Sequence, residues 1–273
     1  MLQWNGDGRL EVEGVDFVLA PSPRTVRAAR ETADLTASLV LFKPRWMVEQ
    51  YLTLRSARPS NVVELGIYDG GSTALLALLF RPKRLVALDL SDRRALALDA
   101  FVERHQLGGH VHPYFGVDQA DRVRLERIVA DEFGSAPLDL VIDDASHRLD
   151  ETTASFNVLF PRLRPGGLFV IEDWSWQHLR AESIAKALTE NAGAAEELTR
   201  RLASGDVSTT PTNPLSRLVL ELVLTAAYAE GVVAEVTNLR KGWLVVRRGR
   251  ATLDPDEFDI RTCYGPLGRT LLS

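Results

Sequence analysis

The sequence predicts an α/β fold, a doubly wound and mostly parallel sheet with helices on both faces. Three observations carry that expectation. Leu138-Asp-Leu-Val-Ile-Asp-Asp-Ala-Ser-His147 is an apolar, β-branched run that ends abruptly in acids. Gly166-Gly-Leu-Phe-Val-Ile-Glu-Asp-Trp174 repeats the design one helix length later. Such runs mark buried parallel strands that deliver polar groups at their carboxyl ends. Third, strand-like and helix-like segments alternate from residue 61 through residue 174, the pattern of successive βαβ units.

In chain order, residues 9–19 alternate weakly around Glu13-Gly14 and predict a short hairpin. Residues 23–57 read as helix, with Pro44 at a helix start because its fixed φ suits a first turn. Asn61–Leu65 is a short strand, Ser72–Phe80 a helix, Arg84–Leu90 a strand and Arg93–His105 a helix. His110–Gly116 is a rougher strand and Ala120–Phe133 a helix, before the two acid-tipped strands. Beyond Trp174 the pattern changes. Residues 177–204 are polar and helical, Gly205–Pro214 is turn-rich, and Leu215–Glu230 reads as a core-facing helix. Val232–Thr237 and Trp243–Arg248 form a final strand pair around Lys241-Gly242. The expected domains are an N-terminal extension over 1–57, a main domain over 58–250 with an inserted lid at 175–231, and a tail over 251–273.

Of 273 residues, 45% are hydrophobic, enough for one large domain with an appended lid. A net charge of −5 argues against a general nucleic-acid or membrane-surface binder. The single cysteine, Cys263, excludes a disulfide within the chain and a cysteine-based zinc site, and fits a reducing, cytoplasmic setting. The polar N-terminus does not read as a signal peptide, and no apolar run is long enough to span a bilayer.

The chemistry concentrates at strand ends. Asp143, Asp144, Glu172 and Asp173, with His147, converge if the two acid-tipped strands are neighbours. Four carboxyl groups there repel one another and call for a cation, for which a hard divalent ion with oxygen ligands is the natural candidate. Asp173 has a simpler reading as the cap of the next helix. Glu64-Leu-Gly66-Ile-Tyr68-Asp-Gly70-Gly-Ser72 lies between the first core strand and its helix. It is either a tight turn or a loop that brings backbone amides close to a ligand. It matches neither the G-x-G-x-x-G pattern nor a P-loop. Asp89 ends the second core strand, where an acid can hold ribose hydroxyls. Asp118-Gln119 follows the third. Trp174 and Trp176, just past the acids, read as core or as a substrate wall.

Four segments together resemble the class I S-adenosylmethionine (SAM) methyltransferases: Glu64–Ser72, Gly116-Val-Asp-Gln-Ala-Asp121, Asp143-Asp-Ala-Ser-His147 and Ile171-Glu-Asp-Trp174. More narrowly, the chain resembles the metal-dependent macrolide-sugar and rhamnosyl O-methyltransferases and the cephalosporin hydroxylase-like proteins. The family's Gly-Asp-Gln is here one residue longer, as Gly116-Val117-Asp118-Gln119. The resemblance implies a Rossmann-like sheet with an antiparallel final strand. It also implies that Glu64, Gly66, Tyr68, Gly70 and Ser72 surround the methionine and ribose parts of SAM. Asp89 would hold the ribose, Asp118 and Gln119 the adenine side, and Asp143 would lie beside the methionine end. Asp144, Glu172 and Asp173 would bind a divalent ion, most simply Mg2+, and His147 would be the general base.

The function so implied is O-methyl transfer from SAM to a hydroxyl of a vicinal diol, on a sugar or another natural-product small molecule. Methyl transfer from a sulfonium needs alignment of the nucleophilic oxygen and removal of its proton. A metal ion acidifies a bound hydroxyl, Asp144 would hold that ion, and a histidine can take the proton at neutral pH. Two other classes are open: a SAM-binding cephalosporin hydroxylase-like protein serving an oxygenation pathway, and a nucleotide-dependent oxidoreductase. The expected partner is a hydroxylated small molecule, with no nucleic acid and no membrane, and the resemblance favours a homo-oligomer. Phe42, Trp46, Met47 and Tyr51, at helical spacing, would cover the site's mouth, mediate self-association or pack on their own core.

Overall fold

The computed structural model describes every residue except 1, 7, 33–37, 191, 240–241 and 265–273. Its centre is a seven-stranded sheet. The strands are β5 (Asn61–Leu65), β6 (Arg84–Asp89), β7 (Val111–Phe115), β8 (Leu138–Asp143), β9 (Leu163–Ile171), β10 (Val233–Leu239) and β11 (Trp243–Arg248). Their spatial order is β10-β11-β9-β8-β5-β6-β7. Neighbours from β9 to β7 run parallel, while β11 is antiparallel to both β9 and β10. The order reverses at β5 and β8, and a doubly wound sheet opens its ligand crevice at such a switch, outside the carboxyl ends of the strands.

The inner strands β5, β6, β8 and β9 are buried on both faces, which is why they read as apolar runs without polar alternation. Val62, Leu85, Ala87, Leu140, Ile142, Leu168 and Val170 belong to one core. Val63, Leu65, Val86, Leu88, Val141, Phe169 and Ile171, one residue out of phase, belong to the other. Helices α2 (Arg45–Leu54), α3 (Gly71–Phe80) and α4 (Leu96–Arg104) supply the first core. Helices α5 (Arg122–Phe133), α6 (Leu149–Leu159) and α9 (Ser216–Tyr228) supply the second.

The N-terminal segment departs from the helix expected over 23–57. It holds α1 (Pro23–Thr32), strand β4 (Ser38–Leu41) and then α2, capped by Pro44 in an extended conformation. Part of that expectation, residues 33–37, lies outside the described residues. β4 runs parallel to β3 (Val15–Leu19), the second strand of the expected hairpin with β2 (Arg9–Val12). With β1 (Leu2–Trp4) they make a four-stranded sheet whose Leu10, Phe17, Leu39 and Leu41 join the first core. Leu39, Val40 and Leu41 are buried in this strand, but the Ala- and Arg-rich stretch before it carries helical periodicity in the sequence and hides the break.

The segment expected as one lid is of two kinds. α7 (Trp176–Glu190) and α8 (Ala192–Ala203) follow β9 and are mostly solvent-facing. In α9, by contrast, Leu218 and Leu222 are fully buried in the second core, so α9 is part of the main domain's packing. Within the C-terminal segment, Phe258, Ile260 and Tyr264 are buried, although nothing in their spacing predicted it. Among the described residues, no helix is long and apolar enough to cross a membrane.

Candidate active site

A cavity of about 980 Å³ opens at the carboxyl ends of β5, β6, β7, β8 and β9. That is the upper end of the roughly 300–1,000 Å³ usual for small-molecule pockets. Of the expected site residues, Gly66, Tyr68, Ser72, Asp89, Asp118, Gln119, Asp144, His147 and Asp173 line it. Glu64, Gly70, Asp143 and Glu172 do not; they sit behind the wall and shape it.

Gly66 has φ +98°, and a Cβ there would lie 2.3 Å from the carbonyl oxygen of Asp144. The loop therefore passes directly over the end of β8. Gly70, at φ +85°, leaves room for Leu98 of α4, so its glycine serves helix packing. Asp89 pins the loop from the neighbouring strand. Its Oδ2 accepts the amides of Ile67 (2.9 Å) and Tyr68 (2.8 Å), and its Oδ1 accepts that of Ser91 (2.8 Å). Glu64 is buried on β5 and accepts a bond of 2.6 Å from the Thr73 hydroxyl. Burial pushes its carboxyl up to about 7, against the pull of the Ser72 and Thr73 hydroxyls.

Asp143, expected beside the cofactor, faces inward. Its Oδ2 accepts bonds of 3.0 Å from Gln119 Nε2 and 3.0 Å from Ser155 Oγ, and burial pushes its carboxyl up to about 6. Gln119 also accepts the Ser146 amide (3.0 Å), so this pair ties the loop after β7 to the loop after β8. Asp118 stays exposed in the cavity and turns its own loop by accepting the Ala120 amide at 2.8 Å.

The acids divide into two groups. Asp144, His147 and Asp173 each offer one ligand atom, all within 4.8 Å of one another. Two carboxylates and an imidazole, half-buried and facing the cavity, are a donor set that fits a divalent ion. His147 Nε2 lies 3.9 Å from Asp144 Oδ1. His147 (φ +55°), Asp173 (φ +51°) and Tyr68 (φ +53°) all adopt the left-handed backbone region that non-glycine residues avoid. Strain of that kind, about 1–3 kcal/mol per residue, gathers where side chains are held for function. Burial raises the Asp173 carboxyl, as does Asp144 beside it, while His147 and Lys43 pull it down.

Glu172 differs from its expected place among the ligands. It is fully buried, and both of its oxygens are engaged: Lys43 Nζ donates to Oε2 at 2.7 Å and the Tyr51 hydroxyl donates to Oε1. The same Lys43 ammonium donates to Asp144 Oδ2 at 2.6 Å. Burial alone would lower the Lys43 pKa, but Asp144 and Glu172 more than offset it and hold the ammonium charged. The cation required by the crowded acids is thus in part the protein's own. Nothing singled out Lys43 in the sequence, where it falls in the stretch read as helix, just before Pro44. The available signal was its apolar setting, Leu39-Val-Leu-Phe before it and Trp46-Met after it.

The mouth is apolar. Phe42, Trp46, Tyr68 and Leu179 line it, with the Phe42 and Tyr68 rings 5.4 Å apart. Trp174 and Trp176, the two candidates for that wall, are elsewhere: Trp174 packs on the second core and Trp176 projects outward.

Residues 63–174 match a family model described as a methyltransferase domain. The chain is 37% identical over 132 residues to the 8-demethyl-8-alpha-L-rhamnosyl tetracenomycin-C 2'-O-methyltransferase of Streptomyces olivaceus, covering 46% of this chain and 31% of that one. It is 53% identical over 129 residues to the L-olivosyl-oleandolide 3-O-methyltransferase of Streptomyces antibioticus, covering 44% of this chain and 30% of that one. The chain thus spans about a third of the length of the curated relatives it matches. Among solved structures, the mycinamycin-pathway methyltransferase MycE, in complex with Mg, SAH and mycinamycin VI, shares the fold. The TM-score is 0.51 at 24% identity, covering 78% of this chain and 50% of that one. Residues 63–174 thus match a methyltransferase domain within a sheet of the class I fold, in a chain that resembles the O-methyltransferases of rhamnosyl and macrolide compounds.

Proposed function

We propose that this protein is a SAM- and divalent-metal-dependent O-methyltransferase acting on a hydroxyl of a vicinal diol, carried by a sugar on a larger apolar natural product. The observation that supports it most is one cavity joining the Asp89-pinned glycine loop to the Asp144–His147–Asp173 cluster. Relatives that methylate rhamnosyl and macrolide substrates, and a structural neighbour holding Mg and SAH, point the same way.

In this reading the loop and Asp89 seat the cofactor's methionine and ribose parts, while Asp118 borders the adenine side. Asp144 and Asp173 are the carboxylates that hold the ion, with Glu172 behind them. A bound divalent ion supplies Lewis acidity that lowers the pKa of a hydroxyl beside it. His147 takes the proton from the acceptor oxygen. A lone pair of that oxygen then forms the bond to the methyl carbon as the carbon–sulfur bond breaks, its electrons staying on sulfur. Alignment of the three reacting atoms is the protein's main contribution. Phe42, Trp46, Tyr68 and Leu179 suit an acceptor whose hydroxylated end enters and whose apolar body rests at the mouth. In this reading the helices α7 and α8 act as its lid, α7 through Leu179 at the mouth.

The test is transfer of a labelled methyl group from SAM to diol-bearing glycosides, with and without chelator. Chelation is expected to abolish transfer and spare SAM binding. Transfer that survives chelation removes the metal from the mechanism. SAM binding without transfer to any diol favours the cephalosporin hydroxylase-like alternative.

A further inference from the structure

Lys43 has a role that the methyltransferase reading does not require. Its side chain is 3% exposed, and a buried ammonium is costly unless well paired. It is paired twice, at 2.6 Å to Asp144 Oδ2 and 2.7 Å to Glu172 Oε2, across 101 and 129 residues of sequence. Its support is rigid. The Tyr51 ring lies 5.6 Å from Nζ, and the Tyr51 hydroxyl closes the second Glu172 oxygen. Tyr51 itself packs edge-on against Trp243 at 5.1 Å, and both rings are fully buried. Asp144 is consequently shared: Oδ2 belongs to Lys43, while Oδ1 faces His147.

We infer that Lys43 is a tethered cation of the acid cluster, paired with Glu172 and sharing Asp144 with the divalent ion, so that its charge limits how tightly the ion binds. The inference rests on the metal-dependent reading above. Two cations on opposite oxygens of one carboxylate repel each other in a half-buried site, where water screens them poorly. Glu172, sealed by Lys43 and Tyr51, stays outside the ion's shell. The ion keeps Asp144 and Asp173, a weaker set than three free carboxylates, and so remains exchangeable.

The experiment is calorimetric titration of the full chain with Mn2+ alone, comparing wild type, Lys43→Met, Glu172→Gln and the double variant. Lys43→Met is expected to bind Mn2+ about ten-fold or more tightly than wild type. Lys43→Met also leaves Glu172 buried without its counter-ion and can fail to fold, so the double variant carries the decision. Its two replacement side chains are both neutral, and the glutamine keeps a partner for the Tyr51 hydroxyl. The double variant is expected to bind Mn2+ about ten-fold more tightly than Glu172→Gln alone. Equal affinity in those two proteins overturns the inference. Loss of Mn2+ binding in both also overturns it, because Glu172 is then a ligand. Binding by the Lys43 variants but not by wild type supports the inference while sinking metal dependence of the natural enzyme. No Mn2+ binding in any of the four sinks both.

Discussion

The α-carbon of Gly66 lies against the backbone carbonyl of Asp144, so close that a Cβ would approach its oxygen to 2.3 Å. One contact therefore sets the distance between the cofactor loop and the acid cluster. Gly66→Ala must also hold an L-residue at φ +98°. The left-handed penalty of about 1–2 kcal/mol and overpacking of about 1–3 kcal/mol together predict a loss of roughly 2–5 kcal/mol. Denaturant unfolding measures it. SAM affinity should fall in the same variant, because the loop can relieve the clash only by leaving β8.

In the proposed site Asp89 should matter for SAM through the loop itself, because it fastens the amides of Ile67 and Tyr68. Asp89→Ala is expected to weaken SAM binding by about 1–3 kcal/mol, the scale of hydrogen bonds to a charged group. Calorimetry with SAM reads this directly. An unchanged affinity would remove Asp89 from the cofactor site.

His147→Ala is expected to lower turnover by about 10²–10⁴-fold, the usual worth of a positioned general base, with SAM affinity nearly unchanged. Single-turnover rates at saturating SAM separate these effects. Turnover within a few-fold of wild type would leave His147 as an ion ligand or a structural residue.

Glu64 predicts a pH-dependent stability. Its folded pKa, about 7, lies above the ordinary 4.5 because of burial, so the folded state binds its proton more tightly than the unfolded chain. The stabilisation is complete below pH 4.5, declines as pH rises through 7, and is lost above that. At about 1.4 kcal/mol per pH unit the decline amounts to roughly 3 kcal/mol. Glu64→Gln, neutral at every pH, should flatten the curve of stability against pH over this window. An equally steep curve in the variant would place the titration elsewhere.

Much of the fold and part of the site could be read from residue order alone. Asn61–Leu65, Arg84–Asp89 and Leu138–Asp143 are apolar runs punctuated by turn residues, and such runs have few other stable places than a buried parallel strand. Polar groups at and just past the strand ends then fall in one crevice by topology, which is why Asp89, Asp144, His147 and Asp173 could be named in advance. The strand β4 could not, since its four residues follow a stretch with helical periodicity and only pairing with β3 settles them.

By itself, the sequence determined which strand ends carry the polar groups and that their crowded acids need a positive charge. Tertiary structure alone decided where that charge comes from. Lys43 is brought to Asp144 and Glu172 by the packing of the N-terminal sheet and α2 on the first core, across more than a hundred residues. Spacing along the chain carries no information about such a contact, because burial and charge pairing depend on what lies across the core. The same packing turned Glu172 and Asp143 inward while leaving Asp144 and Asp173, their sequence neighbours, in the cavity. Adjacent residues on a strand end point to opposite sides, and only the assembled sheet shows which side is open.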